Sequence, residues 1–193
     1  MVDQKEMSRN KIPPDLINKT INQLLLLSPG NDLATFTKQL VDTIKTNLDF
    51  YFVAIFLLDK GKNELRFSAG SGLAGEELAK HEMRMPTNSP YIAGTILDGD
   101  ISLVSYSSHE ISRYKICEAG KEKLQCRMSE AIVLPSPLLP DTSCQLFLPI
   151  RNQEAISGVL ELNSSYEFDI ERDDFLSLQK VANAIAMKLD LDN

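Results

Sequence analysis

The sequence predicts an α+β domain in which helices from both ends of the chain flank an antiparallel sheet. Three observations carry that reading. Apolar residues recur at helical spacing near each terminus. A continuous run of strand formers, Phe50 to Leu58, stops at the turn-rich Asp59-Lys60-Gly61-Lys62-Asn63. Two more strand-like segments, Gln145–Arg151 and Ile156–Asn163, are joined by Asn152-Gln153-Glu154-Ala155. Hairpins set between flanking helices favour an antiparallel sheet, and no long crossover calls for a doubly wound one.

Residues 1–11 are polar. Pro13-Pro14 suits the first turn of a helix, where N–H groups lack partners in any case. Ile17, Ile21 and Leu24 then form one apolar helical face, so residues 1–31 are expected to be a helical extension or linker. Ser28-Pro29-Gly30-Asn31 breaks the chain. Asp32 can cap the next helix, whose buried stripe is Leu33, Phe36, Leu40, Ile44 and Leu48. Phe50–Leu58 is apolar at both parities, so this strand is covered on both faces. Glu64–Ala69 returns as its hairpin partner. Gly70, Gly72 and Gly75 read as turn residues. The Lys-Ser/Thr of a P-loop and the full G-x-G-x-x-G spacing are both missing.

Met83–Pro86 reads as a short strand, Pro90–Leu97 as a short helix and Ile101–Ser107 as a strand. Residues 108–140 are the least regular part of the chain. In Ile156–Asn163, alternation puts Gly158, Leu160 and Leu162 on one face and Val159, Glu161 and Asn163 on the other. The last helix, about residues 172–191, spaces Phe175, Leu178, Ala182, Ile185 and Leu189 as an a/d seam. Asp169, Glu171, Asp173 and Asp174 crowd its start, where the helix dipole favours negative charge. Because it stays apolar to the chain end, it is expected to be a connector to an output module.

The 193 residues suit one domain, and 43% hydrophobic with 24% charged residues is ordinary for a globular chain. A formal net charge of −7 argues against general nucleic-acid binding. No apolar run approaches the roughly 20 residues of a membrane span, and the charged start does not read as a secretory signal. A cytoplasmic location without membrane contact by this segment is therefore expected. One stretch runs against the acidity: Arg113, Lys115, Lys121, Lys123 and Arg127 meet only Glu118 and Glu122. The three cysteines, Cys117, Cys126 and Cys144, and two histidines, His81 and His109, form no zinc or disulfide pattern. No metal site and no catalytic G-x-S-x-G or H-E-x-x-H set is expected.

Several segments, taken in order, resemble the GAF family. Leu138-Leu139-Pro140-Asp141-Thr142 and Leu146-Phe147-Leu148-Pro149-Ile150-Arg151 look like its fifth strand and lead-in. Gly158-Val159-Leu160-Glu161-Leu162-Asn163 looks like its final strand. Phe168, Asp173 and Leu178–Ala186 look like its closing helix. Val53–Asp59, Leu65–Gly72 and Ala93–Asp100 resemble its first hairpin and its helix with a Gly-centred turn. The likeness covers roughly residues 32–190. It implies a central antiparallel sheet of five or six strands, terminal helices on one face, and a pocket under short helices and loops on the other. It also implies a sensory role in a larger signalling protein, joined to an output domain such as a histidine kinase.

Subtypes of the family differ in their own residues. The cyclic-nucleotide pattern of Asn-Lys, Phe and Asp-Glu is matched at Asn163 and Phe168. It is broken by Ser164 and by Arg172-Asp173; Asn163 otherwise reads as a loop cap. The bilin pattern of a cysteine closely followed by histidine is not met, since Glu118 and Ala119 follow Cys117. Haem would rest on a lone His81 or His109. The family's free-methionine-sulfoxide reductases need paired cysteines, and their cysteine context is not matched; Cys144 reads as a small buried residue.

The expected function is thus a non-catalytic sensory domain that binds a small molecule, dimerises, or both. The alternatives are a ligand-free dimerisation domain and a reductase. The cofactor is left open. Tyr91, Tyr106, Arg113, Tyr114, Cys117, Arg127 and Glu161 are the candidate ligand-binding residues. Ile17, Ile21, Leu24, Phe175, Leu178, Ile185 and Leu189 are the candidate dimer and connector residues. The expected partners are a second copy, a small molecule and an output domain.

Overall fold

The computed structural model describes residues 12–30, 32–88, 99–106, 111–117, 120–124, 139, 141–153, 155–166 and 172–189. Four helices lie among them: α1 (Pro14–Leu26), α2 (Leu33–Leu48), α3 (Gly72–Lys80) and α4 (Arg172–Leu189). The strands are β1 (Phe52–Asp59), β2 (Glu64–Gly70), β3 (Arg84–Pro86), β4 (Ile101–Tyr106), β5 (Ile111–Cys117), β6 (Gly120–Leu124), β7 (Cys144–Asn152) and β8 (Ala155–Ser164). They form one sheet in the order β3-β2-β1-β8-β7-β4-β5-β6, with every pairing antiparallel. The expected α+β architecture is present. Beyond six strands, the sheet is extended at one edge by the short β3 and at the other by β6.

Each face of this sheet carries its own apolar cluster. On one face α1, α2 and α4 pack Ile17, Leu24, Phe36, Leu40, Ile44, Phe175, Leu178 and Ile185 against Val53, Ile55, Leu146, Leu148, Leu160 and Leu162. On the other, Phe52, Ala54, Phe56, Leu65, Val104, Phe147 and Val159 meet Leu78 of α3. From Phe52 to Leu58 the run is divided by parity between two cores, which is why it is apolar at both parities. Each fully buried Leu, Ile or Phe contributes roughly 1.5–3 kcal/mol relative to exposure.

Local chemistry fixes the helix ends. The Asp32 carboxylate accepts from the backbone N–H of Ala34 (3.2 Å) and Thr35 (3.0 Å), the cap expected from sequence. The Ser71 hydroxyl accepts from the Val53 N–H at 2.9 Å, tying the start of α3 to β1. Lys188 of α4 donates to the Leu25 carbonyl at 3.1 Å, filling one of the acceptors left open at the end of α1.

Several expectations are corrected. The residues assigned to a dimer seam lie in the chain's own core: Ile17, Leu24, Phe175, Leu178, Ile185 and Leu189 are buried, and Ile21 packs against them half-buried. Over two heptads, an a/d stripe cannot distinguish a partner helix from the chain's own sheet and α1. For the same reason α1 is part of the core and not an outlying extension. Residues 111–117 and 120–124, read as irregular, pair as β5 and β6; their dense charge hid the strand alternation. Residues 72–80, read as glycine turns, form α3, since Leu-Ala-Gly-Glu-Glu-Leu-Ala-Lys is mostly good helix former. The helix expected over 90–97 lies outside the described residues.

Gly158 and Gly75 are the tightest of the described glycines at which no side chain fits. A Cβ on Gly158 would stand 2.1 Å from the Phe56 carbonyl oxygen, where β8 closes on β1. A Cβ on Gly75 would stand 2.2 Å from the Gly70 backbone, so α3 rests directly on the end of β2. Gly158→Ala is expected to cost at least 2 kcal/mol or so, by strain between paired strands, seen as a lower urea midpoint. Leu178→Ala should cost roughly 2–5 kcal/mol, whereas Leu26→Ala, at an 82% exposed position, should leave the midpoint almost unmoved. Equal effects at the two leucines would overturn the assignment of the α4 stripe to the core.

Candidate functional site

The sheet face turned away from the terminal helices carries a row of polar side chains set into apolar surroundings. Strand register builds it. Phe52, Asn163, Gln145 and Val104 stand in one line across β1, β8, β7 and β4, and Ala54, Glu161, Phe147 and Ser102 in the next. Glu161, Asn163, Gln145 and Ser102 are all buried. Buried polar groups are ordinarily hydrogen-bonded, so each member of this row needs a partner accounted for.

The side chains form a directed chain of hydrogen bonds. The Tyr106 hydroxyl donates to Gln145 Oε1. That contact fixes which way the amide faces, so Gln145 Nε2 donates to Glu161 Oε1 at 3.0 Å. Gln145 and Glu161 are diagonal neighbours on β7 and β8, a separation long side chains bridge. Asn163 is completely buried, and neither its Nδ2 nor its Oδ1 has a hydrogen-bond partner.

Burial pushes the Glu161 carboxyl up to about 7 from an ordinary 4.5. Loss of water is the dominant cause, because a carboxylate is far better solvated than a carboxylic acid. The amides of Asn163 and Gln145 pull the other way. Asn163 acts on the carboxyl from short range without closing a bond of ordinary geometry, which leaves both its amide atoms open. The cluster is thus an acceptor group of adjustable charge beside an uncommitted carboxamide.

The candidate residues divide by strand parity. Glu161 and Tyr106 lie in the cluster. Tyr114, paired with Leu103, packs half-buried against the helix-side core, which removes it from the site. An odd offset from the Val104–Arg113 pair turns it to the opposite face. Arg113 pairs with Val104, Lys115 with Ser102, and Cys117 with Gly120. Arg113 and Cys117 are described through their backbone alone; Tyr91 and Arg127 lie outside the described residues. Sequence reasoning missed Gln145 and took Asn163 for a loop cap, although it occupies β8. The available signal was polar residues at one parity of two otherwise apolar strands.

Other chemistry is less well supplied. Cys144 is buried in the helix-side core, 3.7 Å from the Ser105 hydroxyl, on the face away from Glu161. His81 is exposed at the end of α3. Among the described residues no group of three His, Cys, Asp or Glu could hold a metal ion, and no helix is long and apolar enough to cross a membrane.

No protein-family model matches the sequence, and no curated protein is similar to it in sequence. Solved structures do match over nearly the whole chain. The nlh2 GAF domain of A. aeolicus, in an inactive state, is 12% identical with a TM-score of 0.66, covering 93% of this chain and 96% of that one. A phycoerythrobilin-bound GAF domain from a cyanobacterial phytochrome is 14% identical with a TM-score of 0.63, covering 94% and 100%. The free methionine-R-sulfoxide reductase of Neisseria meningitidis, in complex with its substrate, is 14% identical with a TM-score of 0.64, covering 94% and 92%. GAF domains and a reductase thus share this architecture, and the architecture alone does not choose a function. With its central antiparallel ladder, terminal helices on one face and a polar cluster on the other, the chain has the GAF fold.

Proposed function

We propose that this chain is a non-catalytic GAF-type sensory module of a cytoplasmic signal-transduction protein. It binds a small molecule at the Tyr106–Gln145–Glu161–Asn163 cluster and passes occupancy to the terminal helices. The observation that carries the reading is the buried polar row on an apolar sheet face, opposite the helices. Pockets for small molecules combine apolar walls with a few convergent polar groups, which is the composition found here. Similar structures hold a bilin or a sulfoxide substrate, so the fold accommodates ligands of unlike chemistry.

A route to the helices follows from β7. The strand that carries Gln145 also carries Pro149, whose carbonyl accepts from Gln179 Nε2 of α4 at 2.7 Å. Proline has no N–H for the ladder, and Pro149 lies beyond the last β4 pairing at Phe147. A ligand that favours one placement of β7 would therefore shift α4 with it, provided it binds that placement more tightly. An output domain joined through α4, and self-association through outward residues of that helix such as Leu176 and Met187, complete the reading.

The reductase reading is favoured by structural likeness but not by Cys144, the one cysteine whose side chain is described, which lies on the wrong face of the sheet. Incubation with free methionine sulfoxide and a dithiol is expected to give no methionine. Turnover would replace the sensory reading with the enzymatic one.

The main test is native mass spectrometry of freshly purified protein together with its absorption spectrum. A discrete added mass is expected, and Glu161→Gln with Asn163→Leu should remove it while the protein stays folded. An added mass retained by that double variant would move the ligand elsewhere. A second expectation concerns pH. The folded chain holds the Glu161 proton more tightly than the unfolded chain does, so this group's stabilisation is complete below about 4.5 and is lost as pH rises through about 7. Glu161→Gln keeps the shape and removes the titration. Its Tm relative to the parent should therefore rise with pH, by on the order of 5 °C between acid and mildly alkaline buffer. Parallel Tm curves would show that Glu161 is not held in a low-dielectric site.

A further inference from the structure

We propose that the cluster receives a cationic nitrogen donor, an amidinium, guanidinium or ammonium group, seated between the Glu161 carboxylate and the Asn163 amide oxygen. This inference rests on the sensory reading above and names the ligand class for its site.

The direction of the hydrogen-bond chain is the first argument. Tyr106 donates to Gln145, and Gln145 donates to Glu161. Both steps end on an acceptor, so the chain terminates in a carboxyl group that invites donors. The second argument is Asn163. It is two positions along β8 on the same face, entirely buried, close enough for its amide to act on Glu161, and its amide atoms close no hydrogen bond of ordinary geometry. A buried carboxamide in that condition is costly, because it has given up water without a full replacement. A planar donor reaching both Glu161 and the Asn163 oxygen would satisfy the acceptors in one contact, and Glu161 would supply the counter-charge.

The third argument concerns what surrounds the pair. Phe52, Phe56 and Phe147 lie on the same face, and aromatic rings accept a desolvated cation better than an anion. Among the described residues no ion pair reaches Glu161. The strand positions of Arg113 and Lys115 are two and three strands away from β7 and β8, roughly 10–14 Å at ordinary strand spacing. An anionic ligand would meet Glu161 as a like charge; a neutral one would leave the carboxyl protonated near neutrality.

Binding of a cation requires Glu161 to be ionised. Its affinity should therefore fall about tenfold per pH unit below the Glu161 pKa and level off above it. Benzamidine is the probe, with its neutral isostere benzamide and the ammonium benzylamine as companions. Isothermal titration across pH gives affinity and, from buffers of differing ionisation heat, the proton released. Amide shifts in NMR spectra locate the contact.

The expected result is benzamidine or benzylamine binding that perturbs Gln145, Glu161 and Asn163, releases a proton near pH 6, and weakens at least tenfold in Glu161→Gln. Asn163→Leu should weaken it several-fold while keeping the pH profile, which separates lost contact from misfolding. Benzamide binding at the same residues as tightly as the cations, without pH dependence, would overturn the cation assignment and leave the sensory site standing. A side chain of the chain's own Arg113, Lys115 or Arg127 paired to Glu161, seen as a charge-swap rescue, would also overturn it. Failure of all three probes to perturb the cluster at millimolar concentration would remove the ligand class, while the added mass and its loss in the double variant decide the site.

Discussion

The register of β8 between β1 and β7 is the constraint on which the rest of the molecule depends. Its alternate residues belong to different environments. Leu160 and Leu162 enter the helix-side core, while Val159, Glu161 and Asn163 face the other way. A slip by one residue would drive a carboxyl and a carboxamide under three helices and turn two leucines out of them. Gly158 guards against that slip, because only a residue without Cβ fits against the Phe56 carbonyl. The polar cluster is therefore a product of the same pairing that builds the hydrophobic core, and neither can be changed alone.

Much of the fold was legible because its signals are local. The Asp32 cap, the α2 stripe from Phe36 to Leu48 and the two central hairpins all follow from residue type and spacing, whereas Leu33, expected in that stripe, sits in the first turn of α2 and is 49% exposed. What was not legible depends on distant partners. The period of α4 states that one side is buried, but not against what; the sheet and α1 use it up. The β5–β6 pair carries alternating charges, so binary patterning gave no strand signal there. In the site, Glu161 stood out as a carboxyl in an apolar strand. Gln145 and Asn163 acquire meaning only when β7 and β8 are set in register. Tyr114 looked equivalent to Tyr106, and parity across the β4–β5 pair separates them.

The likeness to proteins that hold a bilin, or that reduce a sulfoxide, shows how little of the chemistry the scaffold dictates. In this chain the described chemistry is carboxyl, carboxamide and phenol in sequence, with a thiol kept behind the sheet. Such a set can recognise donors and exchange a proton. The near-neutral value of Glu161 matters in this respect, since a group that titrates near 7 can exist in either charge state at little cost.

The two polar ties on α4 have a mechanical consequence. Gln179 holds the Pro149 carbonyl, and Lys188 holds the Leu25 carbonyl. Nine residues of α-helix turn through about two and a half revolutions, so these side chains leave the helix on roughly opposite flanks of its buried stripe. Rolling α4 about its axis in either sense stretches one tie as it slackens the other. Torque is thereby resisted, whereas translation of α4 together with β7 and α1 keeps both ties intact. Displacement along this layer is the motion that the two ties permit, and rotation of α4 is the motion they oppose.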